Sequence, residues 1–294
     1  MDRLIFFFRL LLSGCFLAGF LFTPKTGLAQ LSEKEQKAII DEGYELYRLE
    51  LASWNSSDLL TSIWGISTLD SIEGYLSYRQ GNAYNTIYYG GEKEFRIYAN
   101  FVFDSLSSIQ SAIMDLTPRA AAHRETQLIT MRTDALERIG KNEGNFFEPH
   151  EKTSFNLIPM ITANERKVIV LCGPQETGNV LFGNDYVLEY GEDNKFKAQT
   201  RLHGNLSVIP METTPDSLHV FATAHTHAHP ASGYITPTDI CTLLLYGDYT
   251  NWEQHSVISE NYFSIWDLKK KTLRIVASNA AEKTEKIRQE KKKN

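Results

Sequence analysis

The stretch Phe221–Tyr246, reading FATAHTHAHPASGYITPTDICTLLLY, constrains this chain more than any other. A short apolar strand, read from His219 to Ala224, leads into three alternating histidines, His225, His227 and His229. Side chains two apart on a strand point to the same side, so neighbouring members of this series face one ion together. Pro230 and Gly233 mark a loop. Thr236-Pro237-Thr238-Asp239 then reads as a helix start into the apolar run Ile240–Tyr246. Imidazoles and a carboxylate converging at a strand end are the donor set of a divalent metal. Three protein ligands plus a water is the open geometry of zinc hydrolases. The plain alternatives are histidines that only hydrogen-bond in a core and an Asp239 that only caps its helix.

The rest of the chain reads as α+β. Ser32 with Glu35 makes a capping box for an amphipathic helix running to Trp54, stopped by Asn55-Ser56-Ser57-Asp58. Period-two segments at Tyr75–Tyr78, Thr86–Tyr89 and Phe95–Phe103, separated by Gln80-Gly81-Asn82 and Gly90-Gly91, predict an antiparallel meander. Helical spacing returns from Pro118 to Ile139 and ends at Gly140. The polar segment Asn142–Thr153 is the expected boundary between an N-terminal module, 30–150, and a C-terminal one, 151–280. The second half predicts strands at Lys167–Cys172, Asn179–Phe182 and Tyr186–Tyr190, another ending near Leu202, and a last hairpin of Gln254–Ser259 and Tyr262–Trp266. Residues 281–294 form a lysine- and glutamate-rich tail. His203, His219 and His255 carry no motif and read as packing or surface residues.

Arg3 and Arg9, the uncharged run Leu10–Phe22 and the small residues Gly27-Leu28-Ala29 predict a signal peptide over 1–29 and an exported protein, periplasmic or extracellular. Leu12-Ser13-Gly14-Cys15 offers lipidation at Cys15 as the rival, although the apolar run continues past it. After cleavage no membrane span is expected. Cys172 and Cys241 then remain, in apolar runs that suit either buried thiols or an export-permitted disulfide. The net charge of -6 gives no basic surface for nucleic acid.

His225-Thr226-His227 followed by Thr236-x-x-Asp239 at a helix start resembles the JAMM (MPN-domain) metallopeptidases, over roughly Lys167–Leu268. Their signature is a distant Glu, His-Ser/Thr-His, commonly Pro, then Ser-x-x-Asp. The resemblance implies a mixed sheet with flanking helices. It also implies zinc on His225, His227 and Asp239, with Thr236 in the serine position that steadies the oxyanion. Glu176, in Gln-Glu-Thr-Gly-Asn-Val-Leu-Phe-Gly, stands where the family has its acid/base, with Glu189 and Asp185 as alternatives. Counted from His227, Thr236 and Asp239 come one residue late. Counted from His229 they come one early, which makes His227/His229 the rival pair. The implied activity is hydrolysis of a peptide or isopeptide amide bond, with a peptide or protein substrate. The other reading is a non-catalytic binding or scaffold protein that keeps a JAMM-like fold, motivated by the departures at the serine and glutamate positions.

Overall fold

The computed structural model describes residues 31–64, 71–91, 94–104, 112–211, 221–228 and 233–278. The expected signal peptide, the charged tail, His219, His229 and Pro230 lie outside them. The capping box forms as expected: Ser32 N–H donates to Glu35 Oε2 at 2.8 Å, and Glu35 N–H donates to Ser32 Oγ at 3.2 Å. The helix it opens, α1 (Glu33–Trp64), runs straight through the expected stop at Asn55–Asp58. Serine and asparagine weaken helices by competing for backbone groups. Here Ser56 is buried and fully engaged, its Oγ donating to Ser53 O within the helix and meeting the Tyr88 hydroxyl of β2 at 3.0 Å.

Strands β1 (Gly74–Gln80), β2 (Ala83–Gly90) and β3 (Arg96–Phe103) form the antiparallel meander, and β4 (Ile113–Asp115) and β5 (Arg119–Ala120) both add to β3. Helix α2 (His123–Lys141) begins later than its periodicity predicts. Arg119 holds both oxygens of the buried Glu125 carboxylate at 2.7 Å, and Ala122 N–H donates to it at 2.7 Å. That grip starts the helix at Ala122, and left-handed Asn142 ends it instead of Gly140.

The second half adds β6 (Thr153–Ile161), β7 (Arg166–Pro174), β8 (Asn179–Gly183), β9 (Tyr186–Tyr190), β10 (Phe196–Arg201) and β11 (Leu206–Pro210). It closes with β12 (Ala222–His227), α3 (Pro237–Tyr246), β13 (Gln254–Ser259), β14 (Tyr262–Asp267) and β15 (Thr272–Ala277). One antiparallel sheet has the order β10-β9-β7-β6, and β11 pairs with β8. The last sheet, β12-β13-β14-β15, is mixed: β12 and β13 are parallel and joined through α3, whereas β13 to β15 are antiparallel. This is an α+β protein. The final hairpin carries a third strand, β15, which the charge-rich sequence around it concealed.

Residues from both sides of position 150 share two core clusters. Tyr78, Ile87, Ile97 and Leu128 pack with Val168, Tyr186 and Leu188, and Leu46, Tyr88 and Phe101 pack with Ile169, Leu171 and Cys241. Cys172 and Cys241 are both free and buried. Helix α1 also lies against α3, and Gly43 sets the approach: a Cβ there would meet Ile240 Cβ and Cγ2 at 2.7 Å. Gly43→Ala is therefore expected to push the helices apart and cost about 1–3 kcal/mol, read from the denaturant midpoint.

Candidate metal centre

Strand β12 alternates as its sequence predicts, with Ala224 and Thr226 exposed and His225 and His227 buried. The histidines lie inside the strand rather than beyond its end, since β12 extends to His227. Parallel pairing sets β13 beside it and places His255 opposite Thr223. His225 Nδ1 is 2.8 Å from His255 Nε2, and His255 Nδ1 is 2.7 Å from Thr223 Oγ1. Phe182 of β8 stacks on both rings, at 4.8 Å from His225 and 4.3 Å from His255. Burial, with the neighbouring His225 next, pushes the His255 pKa down to about 3. In the tautomer in which His225 Nδ1–H donates to His255 Nε2 and His255 Nδ1–H donates to Thr223 Oγ1, the His225 Nε2 lone pair is free for a metal. His227 Nδ1 faces Tyr234 O at 3.1 Å; a carbonyl only accepts, so this imidazole also keeps its lone pair on Nε2.

Helix α3 brings the carboxylate. Thr236 is the N-cap, Pro237 follows at the first helical position, and Asp239 closes a capping box. Asp239 Oδ2 accepts from Thr236 N at 2.8 Å and from Thr236 Oγ1 at 2.8 Å, while Asp239 N–H donates to Thr236 Oγ1 at 3.2 Å. The cap reading of Asp239 thus holds for Oδ2. Asp239 Oδ1 is buried without a hydrogen-bond partner. It lies 3.3 Å from His203 Nε2 and 3.4 Å from His225 Nε2, while Oδ2 lies 3.3 Å from His227 Nε2.

His203, read from sequence as a packing residue, is the fourth member. It sits in the β10–β11 connection and is 3 % exposed. Gly183 admits that connection: its φ is +95°, and a Cβ would meet Asn205 O at 2.1 Å and His203 Cβ at 3.3 Å. Gly183→Ala is expected to displace His203 and weaken metal binding about 10- to 100-fold, the range typical of losing a ligand's supporting contacts, as measured by competition with a chelator. His203 Nδ1 lies 3.3 Å from Asp185 Oδ2, at ion-pair range but off hydrogen-bond alignment. Asp185 is anchored in turn, since Cys172 N–H donates to its Oδ1 at 2.8 Å.

Among the described residues, His203, His225, His227 and Asp239 form a buried group whose donor atoms all lie within 4.8 Å of one another, and this group could hold a metal ion. Zinc bound tetrahedrally at about 2.0–2.1 Å separates its donors by about 3.3 Å. The contacts of Asp239 Oδ1 with His203 and His225 stand at that spacing, the His227 contact at the same distance is to Oδ2, and the 2.9 Å between His225 and His227 Nε2 is a few tenths shorter. Burial would raise the Asp239 pKa, but the three imidazoles hold it well below the usual carboxylate range. Burial likewise works to lower the His203 pKa, yet the Asp239 and Asp185 carboxylates bring it up to about 10. To bind a metal, His203 must shed that proton.

Searches against protein-family models, curated proteins and solved structures return no match to this chain.

Of the residues singled out in the sequence, His225, His227, Thr236 and Asp239 come together. Glu176 does not join them. It lies exposed in the β7–β8 turn, ion-paired with Lys152 at 3.0 Å. Strand β8 spans on the order of 15 Å and separates it from Asp185. Glu189 is an exposed residue of β9. Thr236 is at the site, with its hydroxyl committed to Asp239. The signal for His203 was tertiary only, and for His255 it was the strand alternation, whose inward side places it in the core.

Proposed function

We propose that this chain is a zinc protein whose centre uses His225, His227 and Asp239, as the JAMM resemblance implies, and is completed by His203. The supporting observation is His203 as fourth donor: four protein donors fill a tetrahedral shell, the pattern of closed structural sites rather than open catalytic ones. The two departures from the family pattern agree with this. Thr236 holds Asp239 instead of offering a free hydroxyl, and Glu176 lies at the far end of β8. Zinc bound here would tie β12, the start of α3 and the β10–β11 connection into one unit, which suits a binding or scaffold protein. Export rests on the pattern of Arg3, Leu10–Phe22 and Ala29, and a mature N-terminus at Gln30 is its test.

The second reading keeps amide hydrolysis of a peptide or isopeptide, and one observation favours it. His203 stands between Asp185 and the other donors, as a carboxylate-oriented imidazole base would. In that reading His225, His227 and Asp239 would hold zinc, which would supply Lewis acidity, and His203 would move the proton in place of Glu176. Cobalt substitution separates the two. A closed site gives a tetrahedral visible spectrum that does not change with added azide or acetohydroxamate. A spectrum that shifts with either ligand favours the hydrolase, and a folded chain that takes up neither zinc nor cobalt ends both readings.

A further inference from the structure

Away from the candidate metal centre, a partly open polar pocket of about 240 Å³ lies where α1, β1, α2 and β6 meet. Its polar lining comes from Glu50, Ser53, Tyr75, Ser77, Arg132 and Asn156, and Leu76, Leu157 and Ile158 contribute apolar wall. A single water needs roughly 10–15 Å³ by this kind of measure, and drug-sized pockets start near 300 Å³. The space therefore suits a molecule of about ten non-hydrogen atoms.

The charges in the lining are unusual. Glu50 is 5 % exposed, and its Oε2 accepts one bond, from Asn156 Nδ2 at 3.1 Å. Among the described residues, no cation reaches ion-pair range of it. Arg132 donates through Nη1 to the Tyr89 hydroxyl at 3.1 Å and stands 5.7 Å from the Tyr75 ring centroid. Its Nε is buried without a partner. A carboxylate and a guanidinium thus line one cavity without meeting, and Tyr75 feels both charges. A buried carboxylate with no cation beside it is costly, and so is the enclosed Arg132 Nε without an acceptor, so such an arrangement is expected where a ligand completes it. Ser53 Oγ, Ser77 Oγ and Thr86 Oγ1 form a hydroxyl chain with two 2.7 Å links, whose rotating protons serve a ligand donor or acceptor equally.

We propose that this cavity binds a small zwitterion of free α-amino-acid size, with its ammonium against Glu50 and its carboxylate on Arg132. The side chain of such a ligand would lie along Leu76, Leu157 and Ile158. The inference is independent of the zinc reading, because none of these residues contributes to the metal centre.

Calorimetric titration of the full chain with the free α-amino acids tests this, using the N-acetyl and carboxamide derivatives of each as controls. At least one free amino acid with an apolar side chain is expected to bind one-to-one, and both blocked forms to fail. Glu50→Gln and Arg132→Met should each weaken binding about ten- to a hundredfold, the cost of losing a charged hydrogen bond. No binding of any free amino acid at about 10 mM would overturn the proposal. So would blocked derivatives that bind equally well, or affinity unchanged in both folded variants. If a variant fails to fold by circular dichroism, the contrast between free and blocked ligands on the unaltered chain decides alone.

Discussion

Replacing His203 with alanine is expected to weaken zinc binding about a hundred- to a thousandfold. Structural zinc sites contribute about 10–16 kcal/mol of apparent binding energy, so one of four ligands accounts for about 2.5–4 kcal/mol. Because binding to the folded state is linked to stability, the variant's zinc-dependent rise in melting temperature should be smaller than that of the unaltered chain by the equivalent of that loss. Glu176→Ala is the contrasting control. Its carboxylate is exposed and paired only with Lys152, so zinc affinity and stability should stay within the small range of surface ion pairs. Chelator competition and thermal melts with and without zinc measure both variants. If His203→Ala keeps full zinc affinity, the imidazole is not a ligand and the acid–base reading gains. If Glu176→Ala loses zinc, the carboxylate reaches the centre in a conformation other than this one.

The two halves of this site were unequally legible, for a physical reason. His225 and His227 follow strand alternation, and Thr236 and Asp239 follow the reciprocal bonds of a capping box. Both rules act within a few residues, so a linear reading captures them. His203 is placed by the close approach of its loop to Gly183, which no local pattern encodes. Glu176 illustrates the converse. Its neighbourhood resembles a motif, but the β8–β9 turn places Asp185, not Glu176, beside His203. The same division holds for the fold. The meander and the first capping box were readable, whereas α1 continues past Asn55 where Ser56 and Ser57 meet the Tyr88 hydroxyl, a contact distant in sequence. The polar segment Asn142–Thr153 reads as a domain boundary, and residues from both sides of it share two core clusters.

Glu50→Gln is expected to stabilise the ligand-free protein at neutral pH and to flatten its stability between about pH 4.5 and 7. Burial pushes the Glu50 carboxyl from its ordinary 4.5 up to about 7, against the lowering effect of the Asn156 hydrogen bond. In the unfolded chain the group ionises near 4.5. Between those values the unfolded state has released its proton while the folded state retains it, so stability falls as pH rises through the window and levels off above about 7. The difference corresponds to on the order of 3 kcal/mol, or roughly 5–10 °C in melting temperature for a chain of this size. Glutamine cannot ionise, and it keeps the carbonyl oxygen that accepts from Asn156. Melts of the two proteins at pH 4.5 and 7.5 should therefore diverge only at the higher value. Equal curves at both would show that water or a local opening already solvates Glu50. Tyr75, Tyr246 and Cys241 also feel the Glu50 charge, but they ionise well above this window and leave the sign unchanged. The same substitution should thus raise stability and lower affinity for a zwitterion, a pairing expected of a binding group held at the expense of the fold and not of a residue that only packs.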